Sequence, residues 1–161
     1  EERRNQTMAL LMSAPISMTH IIIGKFVAMV AFLALINLLI LAMALSMLAG
    51  GNIDLGLLVA NLIGLTLLGC SFAAIGLFVS CLTTHPVVAA MLSLAVFLAL
   101  WILNVAASNP QSWLHMFSLL KRFDGFMNGA VNVSDVLYFV LLTSTFLVLA
   151  IRRLDSDRLH A

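Results

Sequence analysis

A Gly-Lys pair near the beginning of the chain is the place where the sequence comes closest to a nucleotide-binding motif. Gly24 and Lys25 match the second glycine and the lysine of a phosphate-binding loop. However, Thr19 stands where the first glycine belongs, and Phe26 stands where a Ser or Thr would bind magnesium. The loop needs those residue types because backbone N–H groups cradle the phosphates and the hydroxyl coordinates the metal ion. The sequence therefore predicts no ATP binding by this motif.

Side chains for nucleophilic or acid–base catalysis do not form a recognisable set either. Ser71 and Ser93 lie in apolar stretches that offer no histidine or carboxylate to activate them. Those stretches also lack the buried carboxylate that ion-coupled transport usually requires. An intramembrane enzyme is therefore disfavoured, and no catalytic residue, metal site or cofactor is expected. Three histidines are interpreted as solvated residues near the ends of the apolar stretches: His20, His85 and His115.

The composition explains this shortage of reactive groups. Of the 161 residues, 63% are hydrophobic and 9% are charged, and the mean hydropathy is +1.13. Between Lys25 and Lys121 the only formally charged side chain is Asp54, and no soluble domain leaves so long a segment uncharged. The net charge of +1 gives no reason to expect a nucleic-acid partner. The sequence predicts an all-α, polytopic helical bundle in a lipid bilayer.

Turn signals and charges divide the chain into segments. Four apolar stretches, at about 26–49, 55–82, 86–107 and 136–151, are long enough to cross a hydrocarbon core of roughly 30 Å. Ser134 and Asp135 are expected to cap the last of them. The predicted division is a cytoplasmic amphipathic segment at 1–20, three spans within 21–107, an outer interfacial helix and loop at 108–134, the last span at 135–153 and a cytoplasmic tail at 154–161.

The distribution of basic residues predicts the orientation of this four-span bundle. Cytoplasmic ends of spans carry an excess of Lys and Arg. One side receives six of the eight basic residues: Arg3, Arg4, Lys25, Arg152, Arg153 and Arg158. The other side receives Lys121 and Arg122. Both termini of the sequence are therefore expected in the cytoplasm, and the bacterial cytoplasmic membrane is the expected location.

Two features within the spans indicate how the helices pack. Asn37 is the strongly polar side chain near the middle of the first span, and it either lines a pathway or forms a hydrogen bond to a neighbouring helix. The second span carries small residues on one stripe, which favours the close approach of another helix. The stripe consists of Gly69, Ala73, Gly76 and Ser80.

The order of motifs along the chain resembles that of a known family. Its members carry an acidic-basic run, a Gly-Thr pair, a leucine-rich turn and a Pro-Ile/Val-Ser step that leads to Gly-Lys. The corresponding residues here are Glu1-Glu2-Arg3-Arg4-Asn5-Gln6-Thr7, Leu10-Leu11, Pro15-Ile16-Ser17 and Gly24-Lys25, with Phe123-Asp124-Gly125-Phe126, Gly129 and 135–139 at the entry to the last span. Over nearly its whole length, the chain resembles the membrane subunits of type-2 ABC exporters, most closely the gliding-motility-type permeases.

The sequence departs from the family pattern at two positions of the cytoplasmic loop. Gln6 stands at the usual glycine, and Ala9 stands at a position that is often acidic. The resemblance implies a six-span architecture, of which this sequence would lack the first two spans. It also implies a separate ATPase subunit that binds ATP, and a second permease copy, identical or paralogous, that encloses the transport path.

An ATPase can move a membrane bundle only through a rigid cytoplasmic element that it contacts differently in two states. Residues 2–15 are long and amphipathic enough to be that element. The alternative is that residues 1–20 rest on the bilayer as an interfacial helix. A further alternative is a non-transporting scaffold that holds an outer partner through Trp113 and Phe117 of a surface helix at 110–123. The candidate contacts with the ATPase are Glu2, Arg4, Thr7, Met8, Leu11 and Pro15.

Overall fold

The computed structural model describes residues 18–46, 54–83, 85–106 and 119–159. Every regular element within these ranges is an α-helix, and no strand occurs there. The all-α class predicted from the composition is confirmed for this part of the chain. The helices are α1 (Met18–Ser46), α2 (Leu55–Leu82), α3 (Pro86–Ala106), α4 (Leu119–Met127) and α5 (Val133–Leu159).

The beginnings of α2 and α3 follow from the residues that stand there. Asp54 precedes α2, and its Oδ1 accepts hydrogen bonds from the backbone N–H groups of Gly56 at 2.9 Å and Leu57 at 3.3 Å. Those N–H groups lie in the first turn and have no partner within the helix, so the carboxylate stabilises the helix end. Pro86 is the first residue of α3, a position where its missing N–H costs nothing.

The end of α4 is a glycine cap. Gly129 has a φ of +78°, which residues with a Cβ rarely adopt. Its N–H donates to the Phe126 carbonyl, and the N–H of Ala130 donates to the Gly125 carbonyl, each at 3.0 Å. This pair of bonds is a Schellman motif, which satisfies carbonyls that the helix leaves unpaired. The chain can therefore reverse within a few residues and begin α5.

The structure moves the cap of α5 from the predicted position. The helix begins at Val133, so Ser134 lies inside its first turn and not before it. The carbonyl of Asn132 accepts the first bonds, from the N–H groups of Asp135 at 3.1 Å and Val136 at 3.2 Å. Asp135 does stand in the first turn, where a negative charge favours the helix dipole.

Within the described part of the chain, three helices are long and apolar enough to cross a membrane. They cover Thr19–Ser46, Leu55–Leu82 and Val133–Ser156. α3 contributes a shorter apolar stretch, Pro86–Ile102. The chain is therefore an integral membrane protein. A count of four spans requires that α3 also crosses the membrane.

α2 is the central helix of the described bundle. It packs against α1, α3, α4 and α5, while α1 also contacts α5 and α3 contacts α4. Its buried face is built largely of small side chains, including Ala60, Gly64, Ser71, Ala73 and Ala74. Apolar side chains gain nothing from leaving lipid for a protein interior, so close packing around small residues is what holds such helices together.

Two buried clusters join the helices at opposite ends of the bundle. At the end that carries Lys25, Ile22 of α1 packs with Ala150 and Leu154 of α5. At the other end, four side chains from three helices form one cluster. These are Leu68 of α2, Leu119 and Phe126 of α4, and Phe139 of α5.

Candidate functional site

The residues expected to contact an ATPase lie outside the part of the chain that the structure describes. The same holds for Trp113 and Phe117, the side chains of the scaffold alternative. Their roles therefore stay predictions. The predicted ATPase contacts concerned are Glu2, Arg4, Thr7, Met8, Leu11 and Pro15.

Asn37 makes a hydrogen bond between helices in the middle of the bundle. Its Nδ2 donates to Oγ1 of Thr66 at 2.9 Å, which links α1 to α2. The Thr66 hydroxyl in turn donates to the carbonyl of Leu62, one turn earlier in its own helix, at 2.7 Å. The threonine therefore acts as donor and acceptor at once, and the amide does not face the hydrocarbon without a partner.

A second polar contact joins α2 to α5 and was missed by the sequence analysis. The hydroxyls of Ser71 and Thr143 lie 3.2 Å apart, and Ser71 is fully buried. Each hydroxyl also bonds to a carbonyl of its own helix, Ser71 to Leu67 at 3.0 Å and Thr143 to Phe139 at 2.8 Å. A serine or a threonine is not unusual in a membrane span, so the sequence alone does not indicate that these two hydroxyls are in contact. The packing of α2 on α5 shows it.

The small-residue stripe of α2 meets two different environments. A Cβ on Gly69 would lie 3.0 Å from Cδ1 of Leu33, so this glycine allows α1 to pack closely. Ala73 is buried. A Cβ on Gly76 would meet no atom within 4 Å among the described residues, and Ser80 is exposed. The stripe is therefore covered near Gly69 and open towards Gly76.

The stripe from Gly69 to Gly76 lies along a groove of about 580 Å³ between α1 and α3. Phe32 of α1 and Phe97 of α3 form its walls, and Gly69, Ala73 and Gly76 belong to its floor. The ring of Phe97 packs against that of Phe72 in α2, with centroids 4.7 Å apart. The groove is almost wholly apolar, so it offers dispersion contacts but no polar group for recognition.

A charged cluster fastens α4 to α5 at the end of the bundle that carries Asp54. Nη1 of Arg122 lies 3.0 Å from Oδ1 of Asp135. The guanidinium also lies over the Tyr138 ring, 4.4 Å from its centroid, and Asn132 Nδ2 donates to the other carboxylate oxygen at 3.3 Å. A planar guanidinium can form an ion pair and a stacking contact together, which a lysine could not reproduce.

Among the described glycines, Gly64 leaves the least room for a side chain, and its role is not evident from the sequence. A Cβ placed there would lie 2.6 Å from Cβ of Phe126 and 3.2 Å from Cε2 of Phe123. The missing side chain thus makes room for the fully buried Phe126 of α4. The signal was a glycine in the interior of an apolar span, which usually has a packing reason.

α4 packs into the described bundle through Leu119 and Phe126. The guanidinium of Arg122, a residue that the charge distribution assigns to the outer side, packs over the Tyr138 ring. Among the residues that the structure describes, no three His, Cys, Asp or Glu side chains come together as a metal site requires. The arrangement therefore provides polar and close-packed contacts between helices.

Comparison with known proteins places these features in a family. A family model described as ABC-2 family transporter protein matches residues 1–159. No curated protein and no solved structure matches the chain.

Proposed function

The chain belongs to the ABC-2 transporter family, and from that premise we propose that it exports its substrate by coupling to a separate ATPase subunit. As a member of that family it is a membrane permease subunit of an ABC transporter and not itself the ATPase. The observation that carries the proposal is the match of the family model to nearly the whole sequence, together with three helices able to span a bilayer.

In the proposed topology, four spans cross the bacterial cytoplasmic membrane. The span added to the three long helices is α3, since its 21 residues rise about 31 Å at 1.5 Å per residue. Both ends of the sequence then lie in the cytoplasm, which places Lys25, Arg152 and Arg153 inside and α4 outside. This arrangement follows the excess of basic residues on the inner side. A second permease copy completes the transport path.

The proposed contact with the ATPase is the segment 2–15. α1 follows this segment directly and packs on α2 through Gly69 and Leu33, while α2 packs on α5. A movement imposed on the segment would therefore reach the whole bundle through packed helices. The helix that follows the segment in the sequence, α1, extends about 42 Å from Met18 to Ser46 at 1.5 Å per residue.

Cross-linking tests this contact. In a variant without Cys70 and Cys81, a cysteine at Met8 is expected to cross-link to a cysteine on the partner ATPase, with a yield that changes when ATP binds. A cysteine at Asn128, which lies after α4 at the opposite end of the bundle, serves as the matched control. Equal cross-linking from both positions, or none from positions 4–11, would contradict the proposed contact.

A further inference from the structure

A second groove lies between α1 and α2 near Asp54, and its lining is both apolar and acidic. Its volume is about 400 Å³, within the usual range of about 300–1,000 Å³ for small-molecule sites. Among the residues that the structure describes, the polar side chains in the lining are Asp54 and Asn61. The apolar part consists of Ile40, Leu41, Ala44, Leu57, Leu58, Leu62 and Leu65.

The groove begins where the two helices are fastened together. Asn37 and Thr66 form their hydrogen bond next to Leu65, and Leu41 follows Asn37 by one helical turn. From Leu65 to Asp54 the lining extends about 16 Å along α2 at 1.5 Å per residue. The lining is therefore apolar towards Leu65 and carries a carboxylate at the opposite end.

The negative charge of Asp54 at the end of the groove favours a cationic ligand. Asp54 is the only formally charged residue between Lys25 and Lys121, so no basic side chain of that segment neutralises it. Its Oδ1 accepts the hydrogen bonds from Gly56 and Leu57 that cap α2, and its Oδ2 takes part in neither of these two bonds. An anionic head would be repelled here, whereas a cation gains an ion pair while its chain remains in an apolar environment.

We propose that the groove between α1 and α2 binds an amphiphilic ammonium compound, with the cationic head at Asp54 and the chain directed towards Leu65. The site is defined by volume, lining and charge, so it does not depend on whether the ligand is transported. The ammonium group belongs either to a bilayer lipid or to an amphiphile that enters the membrane.

Photolabelling of the full chain in nanodiscs of phosphatidylglycerol, a lipid without an ammonium group, tests the proposal. The probe is dodecyltrimethylammonium with a diazirine in its chain, and labelled peptides are identified by mass spectrometry. We expect saturable labelling confined to 40–44 and 57–65. Labelling spread evenly along the lipid-facing surface of α1 would overturn the proposal.

Two pairs of variants separate charge from shape. Asn caps helices as well as Asp does, so Asp54→Asn removes the charge and keeps the helix end. It should weaken probe binding about fivefold, as expected of an exposed ion pair, while Asp124→Asn, an exposed carboxylate on α4, should not. Ala44→Trp should fill the groove and abolish labelling, whereas Ala42→Trp should not. Equal affinity of the wild type and Asp54→Asn would overturn the proposal.

The source of the ammonium group is distinguished by competition. Replacing part of the lipid by phosphatidylethanolamine should lower labelling if a bilayer headgroup occupies the site, relative to the same fraction of an uncharged glycolipid. Equal labelling in the two mixtures would assign the site to an amphiphile from outside the bilayer. An uncharged dodecanol analogue of the probe should bind wild type and Asp54→Asn alike, and a difference between them would contradict the role of charge.

Discussion

At Gly64, the lack of a side chain admits Phe126 and so lets α4 pack into the bundle. Gly64→Ala would place a Cβ only 2.6 Å from Cβ of Phe126. Each of these two atoms is bonded directly to a backbone Cα, so the contact can relax only if the backbone shifts. We expect a loss of stability of about 1–3 kcal/mol, as for other overpacked cores. The midpoint of thermal unfolding in detergent measures it.

Gly76→Ala is the matched control for this prediction because it lies in the same helix but faces open space. Its added methyl group should be tolerated, and the better helix propensity of alanine should stabilise the helix by up to about 1 kcal/mol. Equal unfolding midpoints for the two variants would show that Phe126 does not depend on the space at Gly64.

Single residues differ in how much of their role the sequence reveals. The starts of α2 at Leu55 and of α3 at Pro86 agree with the predicted starts of the apolar stretches, because turn signals and capping act locally. Gly64 and the pairing of Arg122 with Asp135 are different, since each needs a partner from another helix. Hydropathy places a residue in a span but does not say which neighbour it faces, so these contacts could not be predicted.

Among the elements, α1 and α2 are held at mid-span by Asn37 and Thr66. We expect Asn37→Leu to destabilise the bundle by about 0.6 kcal/mol, the mean measured for hydrogen bonds between membrane helices, and by no more than the maximum of about 1.7 kcal/mol. Thr66→Val should cost a similar amount, and the double variant should cost less than the sum, because neither partner is then left unsatisfied. A double-mutant cycle on unfolding in detergent measures this coupling.

Ser93→Ala is the control for that cycle. The Ser93 hydroxyl donates to the carbonyl of Ala89 in its own helix at 2.8 Å, so its removal should not change the coupling of α1 with α2. Strict additivity of Asn37→Leu and Thr66→Val would contradict an energetic role for the interhelical bond.

The elements themselves were more predictable than their packing. Long apolar stretches between turn signals located α1, α2 and α3, because hydropathy and breakers act within one segment. The segment at 108–134 was expected to hold an interfacial helix, and its described part contains α4, packed between α2 and α5. That packing depends on the space that Gly64 leaves in α2, and the pattern of apolar residues in α4 does not predict it.

For the molecule as a whole, the charge-free interior is informative. Between Lys25 and Lys121 the sequence supplies one carboxylate, and that carboxylate caps a helix at the end of the bundle. Hydrolysis of ATP needs phosphate-binding and metal-binding groups that this interior does not contain. In the proposed complex, the work done by the bundle is supplied by the separate ATPase subunit, and the family match identifies this chain as the membrane permease subunit.

The most direct measurement is the ATPase rate of the purified partner subunit in nanodiscs with and without this chain. We expect the chain to copurify with the ATPase and to raise its rate, and we expect deletion of residues 2–15 to remove the increase. The control variant Ser93→Ala should preserve the increase, because it leaves the segment intact. An unchanged rate with the intact chain bound would contradict coupling and favour a non-transporting scaffold.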